Sequence, residues 1–124
     1  MQKITIRGKE YDLALTVGAF SEICGLCPGQ DFGRIDELLN APTGQAMETT
    51  ARMIAIMSKG AEEQKAFENS EYSPSPLTFD AIRTLPLAEF SVIYRSFGHL
   101  LTESMKGQTV ETAPSKKKGE KAEK

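Results

Sequence analysis

The first 27 residues constrain the fold most, because their hydrophobic period changes partway along. The two-residue period of a half-buried strand comes first, at apolar positions Ile4, Ile6, Tyr11, Leu13 and Leu15. From Thr16 the spacing becomes that of a helix, with inward positions at Phe20, Ile23, Cys24 and Cys27. The sequence therefore predicts a β-hairpin that runs directly into a helix, with Thr16 as its N-cap and Gly25 and Pro28 at its end.

The residues between the two strands predict the turn and the pairing. Gly8 and Lys9 suit the centre of a type II′ turn, whose first central residue needs a positive φ. This turn would place Ile6 opposite Tyr11 and would put the apolar side chains on one face. Because a two-stranded hairpin is marginal in water by itself, we expect the first helix to cover that face.

Helical spacing continues through the middle of the chain. A short second helix is predicted from about Phe32 to Leu39. Thr43 is a candidate cap for a central third helix, which either continues beyond Gly60 or frays there. Its inward positions recur at three- and four-residue intervals, at Ala46, Met47, Thr50, Met53, Ile54 and Met57. For the three methionines in this list, we favour a role in filling the core over a role in an adaptable protein-binding groove.

The last third of the body predicts a linker and two more helices. Residues 70–76 contain two prolines among serines and indicate a linker within one core. Thr78 then caps a short helix, Phe79 to Leu85, and Pro86 suits the first position of the final helix. The final helix is amphipathic, with an apolar stripe at Leu87, Phe90, Ile93, Tyr94, Phe97, Leu100 and Leu101.

These elements predict a mostly α, α+β fold. An N-terminal two-stranded β-hairpin would pack on a bundle of about four to five helices. The 124 residues have room for one domain, predicted over 1–106, followed by a Lys/Glu-rich tail over 107–124 that cannot bury a core and is expected to be disordered.

The distribution of charge limits the classes of partner. The tail from Lys116 onwards carries five lysines and two glutamates, so its net charge is +3, whereas the whole chain carries −2. The remaining 115 residues therefore carry −5, and this acidic body argues against a nucleic-acid partner. No stretch approaches the ~20 apolar residues of a membrane helix and no signal peptide is evident, so we expect no membrane partner and a cytoplasmic location.

Two features have a chemical interpretation and a structural one. Cys24 and Cys27 have the spacing of a thiol redox motif or half a zinc site, but they fall at a predicted helix C-terminus, where the helix dipole disfavours a thiolate. Reduced core cysteines are the favoured interpretation, and a redox role stays open as an alternative. His99 has no evident nucleophile or orienting carboxylate and is expected to be a partly exposed helical residue. The sequence thus predicts no enzyme, no cofactor, no metal and no catalytic residue.

Candidate partner-binding residues come from two places. The first strand would offer an edge carrying Lys3, Thr5 and Arg7. The apolar alternative is the rim of the final helix, around the aromatic residues Phe90, Tyr94 and Phe97. Oligomeric state is left open, with a homo-oligomer among the alternatives.

Residues 4–23 also resemble the start of the tail assembly chaperones of long-tailed bacteriophages and related prophages. In that family a short hairpin built on a Gly-Lys-Glu-Tyr type of turn, here Gly8 to Tyr11, precedes a helix entered through a Val-Gly-Ala segment, here Val17 to Ala19. The helix start at Leu77-Thr78 and the Leu85-Pro86-Leu87 step also fit the family layout.

The resemblance implies a non-enzymatic chaperone that binds the tape measure protein and keeps it soluble while tail tube protein assembles around it. Such a chaperone would act in the host cytoplasm and would be absent from the mature virion. The family often makes a longer form by ribosomal frameshifting, and the lysine codons of Lys116 to Lys118 are a candidate slippery site. A virion structural protein, such as a tail completion or connector component, is the remaining alternative.

Overall fold

The computed structural model describes residues 2–110, and the side chains of residues 2–105. Two strands and five α-helices follow in chain order, with 3-10 turns at Pro28–Gln30 and Phe32–Arg34. The elements are β1 Gln2–Ile6, β2 Lys9–Leu13, α1 Val17–Leu26, α2 Ile35–Leu39, α3 Thr43–Glu68, α4 Phe79–Arg83 and α5 Leu87–Val110. This confirms the predicted fold class, a two-stranded antiparallel hairpin on a mostly helical body. Helix α5 passes the predicted domain boundary at residue 106, and the rest of the predicted tail, 111–124, lies outside the described residues.

The hairpin has the predicted faces but a different turn. Ile6 pairs with Lys9 and Ile4 with Tyr11, so the two central residues are Arg7 and Gly8, with φ of 54° and 80°. Positive φ at both central residues defines a type I′ turn, whose twist matches that of the strands. The predicted type II′ turn, with Ile6 opposite Tyr11, is therefore wrong. The register differs by two residues, which is the strand period, so the same side chains still face the core.

Helix α1 forms as predicted, but it packs on α3 and not on the hairpin. The Thr16 hydroxyl accepts a hydrogen bond from the Ala19 N–H at 3.1 Å, which satisfies one of the free donors at the helix start. Contrary to expectation, α1 does not cover the hairpin and instead lies against α3. The apolar face of the hairpin is covered by α3 and α5. The hairpin and α1 therefore make two separate contacts on one central helix.

Helix α3 is that central helix, and its 26 residues continue past Gly60 to Glu68. Thr43 is its first residue and makes no capping bond, so the predicted cap is wrong and Pro42 occupies the cap position. The methionines at the centre of the core, Met53 and Met57, have no exposed surface. They fill the core, as the favoured interpretation expects.

Gly60 determines how closely the chain approaches α3. A Cβ atom at this position would lie 2.9 Å from the carbonyl oxygen of Ala14 and 3.3 Å from the Cβ of Ala19. The N–H of Ala14 also donates to the carbonyl of Met57 at 3.0 Å. The connection between β2 and α1 thus rests directly on the backbone of α3, which only a glycine at residue 60 permits without a shift.

The last two helices differ from prediction only at their ends. Thr78 caps α4 as predicted, accepting from the Ala81 N–H at 3.2 Å, but α4 ends at Arg83 and not at Leu85. The sequence predicts Pro86 as the first residue of the final helix, but α5 begins at Leu87. Pro86 lies just before it, and its carbonyl accepts from the N–H groups of residues 89 and 90. Residues 69–78, which we call the strap, connect α3 to α4. They begin with a turn at Ser70 and Glu71 and then cross α3, where the Ser75 N–H donates to Glu62 and the Leu77 N–H donates to Ser58.

Candidate functional site

The three residues predicted on the β1 edge have different surroundings. Lys3 forms an ion pair with Asp12 of the neighbouring strand. The backbone N–H of Arg7 donates to the Glu89 carboxylate at 3.1 Å, and its guanidinium donates to a carbonyl at the end of α4. Thr5 is exposed. Around Lys3 and Thr5, β1 has an outward edge whose backbone groups pair with no other described backbone group.

The three aromatic residues predicted on α5 are not equally accessible. Phe97 is 2% exposed and Phe90 is 7% exposed, and both belong to the hydrophobic core. Tyr94 is half-buried and packs against that core. The stripe predicted to form a rim is therefore mainly the face by which α5 joins the body. Leu87, at its start, is the stripe member that the fold leaves 70% exposed.

A small depression adjoins Phe90 at the start of α5. It has a volume of about 190 Å³ and lies between α3, α4 and α5, with Met47, Ala51, Ile82, Leu85 and Leu87 among its lining residues. Arg83 and Glu48 form an ion pair of 3.4 Å and also line this depression. The depression is apolar, but it is too small to hold more than one or two side chains.

A larger apolar groove lies over the middle of α3, between α1 and α4. One part has a volume of about 470 Å³ and an adjoining part about 200 Å³, and both share a floor of Ala55 and Ile56 and a wall at Glu22. The opposite wall is formed by the end of the strap and the start of α4, at Pro76, Leu77, Thr78 and Phe79. We call this surface the α3 groove.

The α3 groove was not among the predicted sites, although the sequence contains a signal for it. Ala55 and Ile56 lie outside the predicted inward stripe of α3; they are half-buried and pack against the edge of the core, so the apolar surface of this helix extends beyond its fully buried face. In the wall formed by α1, Gly25 has no side chain, and a Cβ atom at this residue would have no neighbouring atom within 4 Å. The wall is therefore open at this residue. A wide apolar face and a neighbouring small residue could have indicated the groove.

Charged side chains are placed at both ends of the α3 groove. Lys59 and Glu22 form an ion pair of 2.7 Å at one end. At the other end the Arg52 guanidinium lies 4.1 Å from the centre of the Phe79 ring. Among the described residues Arg52 has no carboxylate partner, whereas Arg83, whose guanidinium lies 5.6 Å from the centre of the same ring, is paired with Glu48. The groove is therefore an apolar floor with one cation beside it that no described carboxylate neutralises.

A second notable site is the polar cluster under the strap. Glu62 is 6% exposed, and its carboxylate accepts hydrogen bonds from the Tyr72 hydroxyl, the Ser75 N–H at 2.9 Å and the Lys65 ammonium at 3.1 Å. Burial by itself raises the pKa of Glu62, but these three donors outweigh burial and the pKa is lowered. Lys65 also pairs with Asp12 at 2.6 Å, so the cluster joins the strap, α3 and the hairpin.

This cluster stabilises structure and has no free acid or base. The pKa of Asp12 is lowered by hydrogen bonds from Lys3 and Lys65, and the pKa of Lys65 is raised by Asp12 and Glu62. Donation to Glu62 raises the pKa of Tyr72. Every group is held in its charged or donor form by a neighbour, which is the arrangement of a structural network and not of a catalytic pair whose pKa values lie near neutrality.

The cysteine pair lies where the sequence placed it, at the end of α1. Both thiols are free; Cys24 is half-buried and Cys27 is 4% exposed. The Cys27 thiol donates to the Ile23 carbonyl at 3.5 Å, and burial raises its pKa. A raised pKa lowers the fraction of reactive thiolate at neutral pH. His99 is exposed on α5.

Metal sites and membrane spans are not formed by the described residues. Within the part of the chain that the structure describes, no three histidine, cysteine or acidic residues come together in a way that could hold a metal ion. None of the helices over the described residues combines the length and apolar character needed to cross a bilayer. Comparison of the chain with protein-family models, with curated proteins and with solved structures found no match.

Proposed function

We propose that this chain is a tail assembly chaperone of a long-tailed bacteriophage or prophage, which binds the tape measure protein and keeps it soluble during tail assembly. The proposal starts from the resemblance of residues 4–23 to the beginning of that family. A hairpin followed by a helix that begins at Val17 is the order of elements that the resemblance implies, although the turn is centred on Arg7 and Gly8. The proposed site of action is the host cytoplasm.

The observation that carries the proposal is the α3 groove. Its floor of Ala55 and Ile56 is apolar, it is open to solvent, and no described segment of the chain covers it. An apolar groove between helices is the kind of surface on which an amphipathic helix of another protein docks. A chaperone for a long apolar helical client needs a surface of this kind, together with an acidic body that resists self-association.

The direct test is co-expression with the tape measure protein encoded in the same tail gene cluster. We expect this chain to increase the soluble fraction of the tape measure protein and to co-purify with it as a complex. Val92→Trp, at an exposed position of α5 outside the groove, is the matched control for Ala55→Trp, which fills the groove. The same low solubility with and without this chain, and no complex, would contradict the proposal.

Two further measurements distinguish the proposal from a virion structural role. Mass spectrometry of purified particles should find this chain absent from finished tails, and its presence at stoichiometric amounts would favour a tail completion or connector protein. The longer form is tested in the DNA, where the codons of Lys116 to Lys118 should form a slippery heptamer followed by an overlapping open frame. Codons without such a heptamer would remove the frameshifted form from the proposal.

A further inference from the structure

The walls of the α3 groove determine which backbone conformation can occupy it. Its floor and two walls belong to α1, α3, α4 and the end of the strap, so it offers no free strand edge. An extended peptide in the groove would bury backbone N–H and C=O groups against Ala55, Ile56 and Leu77, whose side chains offer no hydrogen-bonding atom. A helix satisfies those groups internally, so an apolar groove of this kind accepts a helix.

The charge beside the groove limits the occupant further. Arg52 stacks on Phe79, which fixes the guanidinium at the edge of the apolar floor, and it has no carboxylate partner among the described residues. The Lys59 ammonium at the other end is already paired with Glu22. A fixed guanidinium that borders an apolar surface without a carboxylate favours a carboxylate on the molecule that covers it.

We propose that the α3 groove binds a single amphipathic helix of the partner, whose apolar side chains cover Ala55 and Ile56 and whose flanking Asp or Glu pairs with Arg52. This inference rests on the proposed function, and it specifies which part of the tape measure protein is bound. The groove follows α3 from Arg52 to Lys59, a length of about 10 Å at ~1.5 Å per residue. The bound helix therefore presents about two turns, with apolar residues three, four and seven positions apart.

The chain itself does not supply such a helix. Its most exposed apolar side chains are scattered over three helices of the described body, at Val17 on α1, Phe67 on α3, and Leu87 and Val92 on α5. They do not form a stripe that a second copy could insert. Residues 111–124 contain no Val, Leu, Ile, Met or aromatic residue, so the C-terminal segment has no apolar side chain larger than alanine or proline to place on the floor. A partner helix is thus the occupant that the groove fits.

Site-specific photocrosslinking with the co-expressed tape measure protein tests this inference. Benzoylphenylalanine is introduced in place of Ile56 on the groove floor, Thr5 on the β1 edge or Val92 on α5, and crosslinked peptides are identified by mass spectrometry. We expect crosslinks from position 56 alone, to a tape measure segment with a helical apolar stripe and a flanking acid. Crosslinks from position 5 alone, or from position 56 to a second copy of this chain, would overturn the inference while the complex itself still supports the proposed function.

Substitutions at Arg52 test the charge. We expect Arg52→Glu to weaken the complex about tenfold and Arg52→Met, which keeps the stem over Phe79, to weaken it less, while Arg52→Lys retains most of the affinity. Arg95→Glu, an exposed charge reversal on α5, is the control and should leave affinity unchanged. Changing the crosslinked acid of the partner to lysine should restore binding to Arg52→Glu.

The outcomes separate the two proposals. If the wild-type chain forms no complex with the tape measure protein, the proposed function fails and the helix inference fails with it. If the complex forms and Arg52→Glu binds as tightly as Arg95→Glu, with both variants folded by circular dichroism, the helix inference alone is overturned.

Discussion

Two neighbouring surfaces of α3 differ in whether the rest of the chain covers them and satisfies their polar groups. Under the strap and the hairpin, Ser58 accepts from the Leu77 N–H at 2.8 Å and Glu62 accepts from three donors, so the chain satisfies its own polar groups. We call this the closed surface. In the α3 groove, Ala55 and Ile56 remain open and Arg52 has no ion pair among the described residues. Because of this difference, residues of the closed surface should control stability, whereas groove residues should control binding.

The largest effect is expected from removing the buried carboxylate of the closed surface. Glu62→Ala leaves the Tyr72 hydroxyl and the Ser75 N–H without their acceptor and should lower the free energy of unfolding by about 3 kcal/mol. Glu63→Ala, at the exposed neighbouring position, should change it by less than about 0.5 kcal/mol. Urea denaturation measures both, and equal effects would show that the cluster contributes nothing specific.

Acid should reduce the stability that the closed surface contributes. The folded pKa values of Glu62 and Asp12 lie below their ordinary values of 4.5 and 3.8, so the unfolded chain binds more protons in that range. Their stabilisation is present above those ordinary values and is lost as the pH falls through the folded pKa values. Denaturation curves between pH 7 and pH 3 should show this loss, and Glu62→Gln should make it smaller. An identical acid dependence in Glu62→Gln would exclude Glu62 as a source.

The close contact at Gly60 provides the next test. Gly60→Ala would put a methyl group 2.9 Å from the Ala14 carbonyl, which should cost about 2 kcal/mol of stability although alanine favours helix. Gly98→Ala, in the middle of α5 with no atom within 4 Å of its Cβ position, should gain up to about 1 kcal/mol instead. Thermal unfolding of the two variants should shift in opposite directions, and a stabilised Gly60→Ala would contradict the packing.

Two buried hydroxyls on α3 differ in whether the chain gives them a partner. Ser58 is bonded to the strap, so Ser58→Ala should lose about 1 kcal/mol by leaving the Leu77 N–H unpaired. Thr50 is 1% exposed and its hydroxyl has no hydrogen-bond partner among the described residues, so Thr50→Val should gain up to about 1 kcal/mol. Both are measured by urea denaturation. A loss of stability in both variants would show that the Thr50 hydroxyl is hydrogen-bonded in solution.

The smallest effect on stability is expected in the α3 groove. Ala55→Trp adds a ring over an open floor and should change the free energy of unfolding by less than about 0.5 kcal/mol, while abolishing most tape measure binding. Val92→Trp is the control and should affect neither quantity. A variant that loses stability as well as binding would mean that the groove is part of the core packing.

Some of the candidate binding surfaces could be predicted from the sequence and some could not. The Lys3 and Thr5 edge follows from strand alternation, which is local, and the structure leaves it exposed. The aromatic stripe of α5 also follows from local period, but period alone does not say whether a stripe meets a partner or the body, and Phe90 and Phe97 are buried. The wide apolar face of α3 could have indicated the α3 groove, but its walls depend on where α1, α4 and the strap lie, which no local pattern encodes.

Local chemistry was sufficient to specify most of the elements and their faces. The caps at Thr16 and Thr78 and the alternation in the hairpin act within a few residues, so they can be predicted from the sequence alone. The strand register required the tertiary structure, since a shift of two residues keeps every side chain on its face and the pattern cannot distinguish the two pairings. The docking of the connection between β2 and α1 on α3 required it too, because that contact places Gly60 against the carbonyl of Ala14, far away along the chain.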